Sequence, residues 1–139
     1  MTNEQFELDS RLKKDTLHLA SWPLCEVLLM NDSQYPWVIL VPRRTGLREL
    51  FELTEKDQQI YWAESMALSK LLMTVFTGHK LNVAALGNVV SQLHIHHVVR
   101  FEGDAAWPGP VWGKVPAKPY ASDALSVMQS KLAGLRAIF

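Results

Sequence analysis

The feature that most constrains the fold is a run of five apolar residues, WVILV at positions 37–41, which stands between Pro36 and Pro42. Five residues are too few for an ordinary helix, and an unbroken apolar run of this length is typical of a strand buried on both faces. Proline limits the run at both ends, because it cannot donate to the hydrogen bonds of a sheet. The run therefore predicts a central strand in a sheet that is covered on both sides.

Two strand-like segments precede this run and two follow it. Residues 16–20 (TLHLA) alternate in polarity, which places His18 on a solvated face, and residues 24–30 (LCEVLLM) predict the second arm of an antiparallel hairpin. Residues 81–86 (LNVAAL) and 89–101 predict the last two strands, joined by a tight hairpin at Gly87-Asn88. About five strands would then form one antiparallel sheet.

One long helix is predicted over residues 55–76, with Thr54 as its N-terminal cap and Gly78 in the left-handed position after its end. Its apolar stripe is predicted at Ile60, Ala63, Ala67, Leu71 and Val75. Short helices are predicted at residues 6–14 and 122–138. The fold class is α+β: a five-stranded antiparallel sheet with one long helix packed on it and a short helix at either end. A single domain would span residues 1–139, with its core at about 16–104 and an irregular Pro/Trp-rich segment and C-terminal helix at 105–139.

Composition narrows the possible partners. Fourteen basic and fourteen acidic residues cancel, so no overall field favours nucleic acid or an anionic membrane. No apolar run approaches the roughly 20 residues of a membrane span, and the N-terminus has no secretory signal pattern. The single Cys25 excludes an internal disulfide and is predicted to be a buried hydrophobe. These features predict a cytoplasmic protein.

The segment SQLHIHHVVR at positions 91–100 holds three of the five histidines. If residues 89–101 form one strand, alternation places Gln92, His94 and His96 on one face, with Val98 and Arg100 further along it. His97 then faces the helix and is predicted to be a hydrogen-bonded core histidine. The functional row is therefore Gln92, His94 and His96.

Three interpretations of this row remain open. A zinc site needs three or four ligands, and Cys25, His18 and His79 lack a suitable spacing. A neutral imidazole can instead attack phosphorus while a second histidine binds the same phosphate, with Asn88 and the amide of residue 92 as uncharged donors and an arginine at position 100 as a positive one. The third interpretation is a polar strand face satisfied by water.

The segment GNVVSQLHIHHVVRFEGD at 87–104 resembles the signature of the histidine triad (HIT) superfamily, His-x-His-x-His followed by two apolar residues. The segments LLMNDSQYPWVILVPRR and LREL with LTEKD are similar to the family as well, so the resemblance covers about residues 24–104. Gln92 stands in place of the first triad histidine, which makes a Q-x-H-x-H variant. Trp37 stands where many members carry a histidine at the edge of the pocket.

The resemblance implies a nucleotide hydrolase or nucleotidyl transferase that cleaves at the α-phosphate of dinucleoside polyphosphates or nucleoside phosphoramidates. His94 would be the nucleophile that forms a covalent nucleotidyl-histidine, and His96 would be a phosphate ligand. Gln92 would keep a hydrogen-bonding group in the catalytic row. No metal or other cofactor is expected, because donors aimed at the phosphoryl group would supply the stabilisation.

The resemblance also implies nucleotide-binding residues and a partner. Asn31 would contact the ribose, Asn88 the phosphate chain, and Trp37 the edge of the pocket. A homodimer is expected, formed by the long helix and its adjacent strand, and the segment around Trp107 and Trp112 would either shape the partner's pocket or cover the sheet edge. The alternative function is a nucleotide-binding regulatory module with little or no turnover.

Overall fold

The computed structural model describes residues 6–139 and contains one five-stranded antiparallel sheet in the order β1-β2-β3-β5-β4. The predicted α+β fold class is confirmed. The strands are β1 Thr16–Ser21, β2 Cys25–Met30, β3 Trp37–Pro42, β4 Lys80–Ala84 and β5 Ile95–Arg100. The helices are α1 Ser10–Asp15, α2 Glu55–Phe76 and α3 Ser122–Lys131, with short 3-10 turns at Leu50–Glu52 and Ala133–Ala137. Within residues 6–139, no helix is both long and apolar enough to cross a membrane.

Strand β3 is the middle strand, and all six of its residues are buried. On one face of the sheet, side chains such as Val38 and Leu40 pack with α2 in the larger hydrophobic core. On the other face, Trp37, Ile39 and Val41 pack in a second core under the chain's irregular segments. The prediction from the WVILV run is therefore confirmed. Because Ile39 pairs with His96 across the β3–β5 ladder, this second face is the one that carries the site.

Helix α2 begins as predicted, because the Thr54 side chain accepts a hydrogen bond from the backbone N–H of Asp57. Its end differs from the prediction. Thr77, with φ 50° and ψ 50°, takes the left-handed position. Gly78 is needed for a different reason: a Cβ atom there would clash with Cγ1 of Val99.

The predicted apolar stripe of α2 is wrong by about one position. Ala63 and Val75 are exposed, and the face that packs on the sheet includes two polar residues, Glu64 and Ser65, while the buried Asp57 pairs with Arg44. Glu64 accepts hydrogen bonds from the backbone N–H groups of Leu24 and Cys25 at 2.8 and 3.0 Å. The buried residues of α2 are Asp57, Tyr61, Glu64, Ser65, Leu68 and Leu72. A pattern built on apolar residues alone misses this face, because its polar members are satisfied by the sheet.

The predicted hairpin at Gly87-Asn88 is also wrong. Strand β4 ends at Ala84 and β5 begins only at Ile95, so residues 85–94 form a loop. Gly87 has a positive φ of 73° and makes a turn in this loop. The loop bonds elsewhere in the molecule: Leu93 N–H donates to the carbonyl oxygen of Leu47. These bonds replace the ladder that the hairpin would have made.

The two ends of the chain cover the sheet. Helix α1 is shorter than predicted and begins after Asp9, whose side chain accepts from the backbone N–H of Arg11. Residues 101–121 contain no helix or strand, as expected, and their Val111 packs in the second core. The C-terminal segment then crosses to the other face, where Leu135 accepts a hydrogen bond from the Trp22 indole at 2.9 Å. The predicted helix at 122–138 ends at Lys131 and continues as a 3-10 turn.

Candidate active site

Two histidine side chains lie together where the 85–94 loop enters β5. The ring centroids of His94 and His96 are 4.9 Å apart, and the rings meet edge to face. His94 keeps 7% of its surface exposed and His96 keeps 5%. The predicted single row is wrong in one respect: Gln92 and His94 precede the strand, so their directions are set by the loop rather than by strand alternation.

The bonding of His94 determines which of its ring nitrogens carries the hydrogen in the neutral form. Nδ1 lies 2.7 Å from the backbone carbonyl oxygen of Gln92. Because a carbonyl only accepts, Nδ1 must carry the hydrogen, which leaves a lone pair on Nε2. The N–H of the same peptide unit, on Leu93, donates to the carbonyl oxygen of Leu47 at 3.0 Å. The carbonyl that orients the His94 ring is therefore itself held in place.

His96 has the opposite tautomer. The indole Nε1–H of Trp37 donates to Nδ1 of His96 at 3.0 Å, so the hydrogen of the neutral ring is on Nε2. Burial, followed by the proximity of His94 and His97, lowers the pKa of His96 from 6.5 to about 3. The ring is therefore neutral near pH 7. The site presents a lone pair on His94 beside an N–H donor on His96.

His97 belongs to the opposite face of the sheet, as predicted. Its Nε2 lies 2.8 Å from the Ser65 hydroxyl of α2, and its Nδ1 lies 3.1 Å from the carbonyl oxygen of Ile95. The carbonyl requires a hydrogen on Nδ1, so the hydroxyl donates to Nε2. Burial lowers the pKa of His97 to about 4. This histidine is a neutral core residue that links the helix to the sheet.

The Gln92 side chain is fully engaged with the N-terminal segment. Its Oε1 accepts from the backbone N–H of Asp9 at 2.8 Å, and its Nε2 donates to the backbone carbonyl of Glu7 at 2.8 Å. Arg11 adds a bond to the carbonyl of Val89 at 3.0 Å. The amide of Gln92 thus ties residues 7–9 to the loop that carries His94.

The predicted nucleotide-binding residues lie in three different environments. Asn31 follows β2, two strands away from β5, and its Oδ1 accepts from the backbone N–H of Tyr120 at 2.9 Å. Asn88 is exposed in the 85–94 loop. Trp37 is buried, and its N–H is used by His96. Only Trp37 therefore touches the histidine pair directly.

The Pro/Trp-rich segment lies over the histidines, a position that the sequence analysis did not predict. The Trp112 ring is 5.2 Å from His96 and 6.1 Å from Trp37 between centroids. Its Nε1 is buried without a hydrogen-bond partner among residues 6–139. The Pro/Trp-rich segment thus packs on its own histidine pair.

Arg100, predicted as a positive donor for a phosphate, is instead buried and anchors this segment. Its guanidinium makes two bonds to Asp104, at 2.8 and 2.9 Å, and one to Asn82 at 2.8 Å. It also lies 5.7 and 5.6 Å from the ring centroids of Tyr35 and Trp107. Burial alone would raise the pKa of the Asp104 carboxyl, but hydrogen bonds from Arg100 and from backbone N–H groups hold it below its usual value. Arg100 is therefore a structural residue with its charge already neutralised.

Residues 6–139 contain no group of three or more His, Cys, Asp or Glu side chains placed to hold a metal ion. The histidines that the sequence brings close are divided between the two faces of the sheet.

Known proteins share both the domain and the fold. The HIT domain family model matches residues 11–103, well over half of the chain, so the chain belongs to the histidine triad family. A histidine triad protein from Marinobacter aquaeolei is 54% identical, with a TM-score of 0.93 over 95% of this chain and 96% of that one. A histidine triad (HIT) protein from Sinorhizobium meliloti is 40% identical, with a TM-score of 0.91 over 94% and 97% of the two chains.

A more distant relative shares the fold alone. A Hit-like protein involved in cell-cycle regulation from Bartonella henselae is 14% identical, with a TM-score of 0.64 over 94% of this chain and 99% of that one. A comparison with curated proteins found no match. Proteins of the HIT family are generally nucleotide-binding hydrolases or transferases, which directs attention to phosphoryl chemistry at the histidine pair.

Proposed function

We propose that this protein is a nucleotide hydrolase or nucleotidyl transferase that cleaves at the α-phosphate of dinucleoside polyphosphates or nucleoside phosphoramidates. The observation that carries the proposal is the free lone pair of His94 Nε2, set by the 2.7 Å bond from Nδ1 to the carbonyl of Gln92. Nucleophilic catalysis requires such an unprotonated nitrogen in a fixed orientation.

The reaction has two steps at one nitrogen. Nε2 of His94 forms a bond to the α-phosphorus, and the P–O or P–N bond to the leaving group breaks with its electron pair. The N-phosphorylated imidazolium ring that results carries a positive charge, which the Gln92 carbonyl stabilises through Nδ1–H. A water molecule or another acceptor then attacks phosphorus, the P–N bond to His94 breaks, and the nucleoside monophosphate or its transfer product is released.

The other residues of the site bind and orient. His96 donates Nε2–H to a phosphoryl oxygen, and Trp37 holds it in the tautomer that can do so. Asn88, exposed in the loop, supplies an amide to the phosphate chain, and Asn31 contacts the ribose through its free amide group. Gln92 contributes as a positioning residue, because both of its side-chain bonds go to the N-terminal segment.

Turnover of defined substrates tests the proposal. The protein is incubated with a diadenosine polyphosphate and with an adenosine phosphoramidate, and the nucleoside monophosphate is quantified. His94→Ala is expected to lower the rate by about 10³-fold or more. The control is His18→Ala, which changes an exposed histidine on β1 and should leave the rate unchanged. A covalent adduct should be seen by intact mass at neutral pH in wild type only. Equal turnover by wild type and His94→Ala would refute the mechanism.

A nucleotide-binding regulatory module is the second candidate. The observation that favours it is the small exposure of the pair, 7% for His94 and 5% for His96, which leaves little surface for an attacking water. This function predicts nucleotide binding in calorimetry together with no release of monophosphate. Measurable turnover that depends on His94 excludes it.

The surface supports a homodimer through α2 and β4. Strand β4 is at the edge of the sheet, and a cavity of about 670 Å³ beside it is lined by exposed apolar side chains. Phe51 is 79% exposed, Trp62 63% and Val83 48%, and apolar patches of this kind mark interaction sites. Light scattering should give about twice the chain mass of 15.8 kDa, and Trp62→Glu should shift it to the monomer. A wild-type mass near that of one chain rejects the dimer.

The proposed compartment is the cytoplasm. Its support is the lone Cys25, which is fully buried in the larger core and has no other cysteine to pair with. Burial and the nearby Glu64 carboxylate raise the pKa of the Cys25 thiol, so the thiol is unreactive. Fluorescence microscopy of the tagged protein tests the location, and a secreted or envelope signal would contradict it.

A further inference from the structure

Within residues 6–139, neither histidine of the pair nor Arg100 supplies a positive charge to an anionic leaving group. His94 must be neutral to attack, and His96 is neutral because burial lowers its pKa. The guanidinium of Arg100 is paired with Asp104 under the covering segment. When a dinucleoside polyphosphate is cleaved, the departing nucleoside polyphosphate carries the electrons of the broken P–O bond as an oxyanion. Charge-assisted hydrogen bonds are the protein's usual means of stabilising such a group.

Arg48 is placed to supply this charge. It lines a narrow cleft together with His94 and Gly87, and the same cleft is bordered by Gln92. The neighbouring residue fixes its position, because the Leu47 carbonyl accepts the N–H of Leu93 at 3.0 Å. Residues 47–48 are therefore tied to the chain one residue before His94.

The guanidinium of Arg48 is available for a ligand. Arg48 is exposed, and within residues 6–139 its side chain makes no ion pair or hydrogen bond. The charge that faces it is the carboxylate of Glu52, which accepts the backbone N–H groups of Arg48 and Glu49 at 3.0 and 2.9 Å. These bonds, with a smaller contribution from the charge of Arg48, hold the pKa of Glu52 below its usual value. Glu52 therefore orients the backbone and leaves the guanidinium unbonded.

The small volume of the cleft between Arg48 and His94 limits which part of a substrate can enter it. Its volume is about 10 Å³, which is room for one atom of the size of water. A phosphoryl oxygen fits this space, whereas a nucleoside needs a pocket of several hundred Å³. The cleft between Arg48 and His94 is thus suited to the phosphate chain beside the reacting phosphorus.

We infer that Arg48 binds the phosphate chain of the leaving group and makes the enzyme selective for dinucleoside polyphosphates over nucleoside phosphoramidates. This inference rests on the proposed function. With a polyphosphate, the α-phosphorus bonds to Nε2 of His94, the bridging P–O bond breaks, and the new oxyanion remains on the departing chain near Arg48. With a phosphoramidate, the departing nitrogen takes a proton and leaves as a neutral amine, so a guanidinium contributes little.

The test compares two substrates that share one nucleoside. Arg48→Ala should lower kcat/KM for the diadenosine polyphosphate by on the order of 10- to 100-fold, because a hydrogen bond to a charged group is lost. The phosphoramidate should change by less than about threefold. Arg48→Lys keeps the charge and should recover part of the loss, and added salt should narrow the difference. Arg136→Ala, an exposed arginine beside β1 at the other edge of the sheet, is the charge-matched control.

The outcomes separate this inference from the proposed function. An equal fall on both substrates, or no fall on either, overturns the role of Arg48 while wild-type turnover keeps the proposed function. If wild type turns over neither substrate, the proposed function fails and calorimetry tests Arg48 directly. Adenosine triphosphate should then bind wild type at least 10-fold more tightly than Arg48→Ala, with adenosine monophosphate unchanged. Equal affinities of the two proteins for the triphosphate overturn the inference.

Discussion

Nε1 of Trp37 lies 3.0 Å from Nδ1 of His96 and donates its hydrogen to it. An indole N–H has no acceptor capacity, so this bond determines which nitrogen of His96 carries the hydrogen. The two residues are on neighbouring strands, since Trp37 pairs with Val98 across the β3–β5 ladder. A residue on the buried central strand thereby controls the chemistry of the site.

Trp37→Phe should keep an aromatic ring in the core and remove the donor. The buried Nδ1 of His96 then loses its partner, which should cost about 1–3 kcal/mol of unfolding free energy. Turnover should fall by roughly 10-fold or more, because the His96 ring is free to present the wrong nitrogen. Nitrogen-15 NMR of the histidine rings should show the loss of the single tautomer. Trp22→Phe, which removes a different buried indole donor, the one to the carbonyl oxygen of Leu135, is the control, and an unchanged His96 tautomer in Trp37→Phe would contradict the assignment.

The hydrogen bond from the Asp9 N–H to the Gln92 side chain is predicted to support turnover by positioning the loop that carries His94. Asp9 has a φ of −52°, which proline can adopt, so Asp9→Pro removes this donor without a conformational clash at the residue itself. Asp9→Ala removes the same helix cap and keeps the N–H. Turnover should fall by roughly 10-fold more in the proline variant than in the alanine variant. Similar rates for the two variants would show that the bond does not position the site.

Gln92→His tests the same link between the loop and the N-terminal segment by changing the side chain that forms it. The donor and acceptor of a neutral imidazole point in nearly opposite directions, so a histidine cannot bond both the Glu7 carbonyl and the Asp9 N–H as the amide does. A histidine at position 92 should therefore leave turnover unchanged or lower it, and should speed amide hydrogen exchange at residue 9. A clear gain in turnover would show that position 92 acts in proton transfer.

Stability should fall with acidity between pH 6.5 and 5. The folded-state pKa values of His96 and His97 are lowered from 6.5 to about 3 and about 4, chiefly by burial. The unfolded chain therefore binds more protons in this range, and each histidine should contribute about 1 kcal/mol of lost stability per pH unit. Urea unfolding at pH 7, 6 and 5 measures the slope. His97→Gln, whose side-chain oxygen can accept from Ser65, should reduce the slope by about half, and an unchanged slope would contradict the assignment.

Glu64 is predicted to stabilise the turn between β1 and β2. Its carboxylate is 1% exposed and accepts from the N–H groups of Leu24 and Cys25. Glu64→Ala leaves both donors unpaired in the core, which should cost about 2–4 kcal/mol in urea unfolding. Gln59→Ala, on the exposed side of the same helix, should change stability by less than about 0.5 kcal/mol. A small effect of Glu64→Ala would mean that water replaces the carboxylate.

Much of the fold was predictable because its elements depend on local patterns. The WVILV run predicted a buried central strand, and Thr54 predicted the start of α2. The phase of that helix was missed because Glu64 and Ser65 are buried polar residues whose partners lie on distant strands. A hydrophobic pattern does not indicate which distant residues will bond a buried polar side chain.

The pairing of the two candidate histidines was predictable from the sequence, and the geometry of the site less so. His94 and His96 are adjacent in space, and His97 is separate, as alternation indicated. The role of Gln92 was hidden, because its partners Glu7 and Asp9 are more than 80 residues away along the chain. The proximity of Arg48 to His94 follows from the bond between Leu47 and Leu93 and from the cleft that both side chains line, and no local motif indicates it.

The sequence alone determined the order of strands and helices and the pair of histidines that belong together, because periodicity and turn residues act over a few positions. The tertiary structure decided which nitrogen of each ring carries a hydrogen and which backbone groups the Gln92 amide bonds. These properties depend on hydrogen bonds and burial between segments far apart in the chain. Such contacts exist only once the chain has folded.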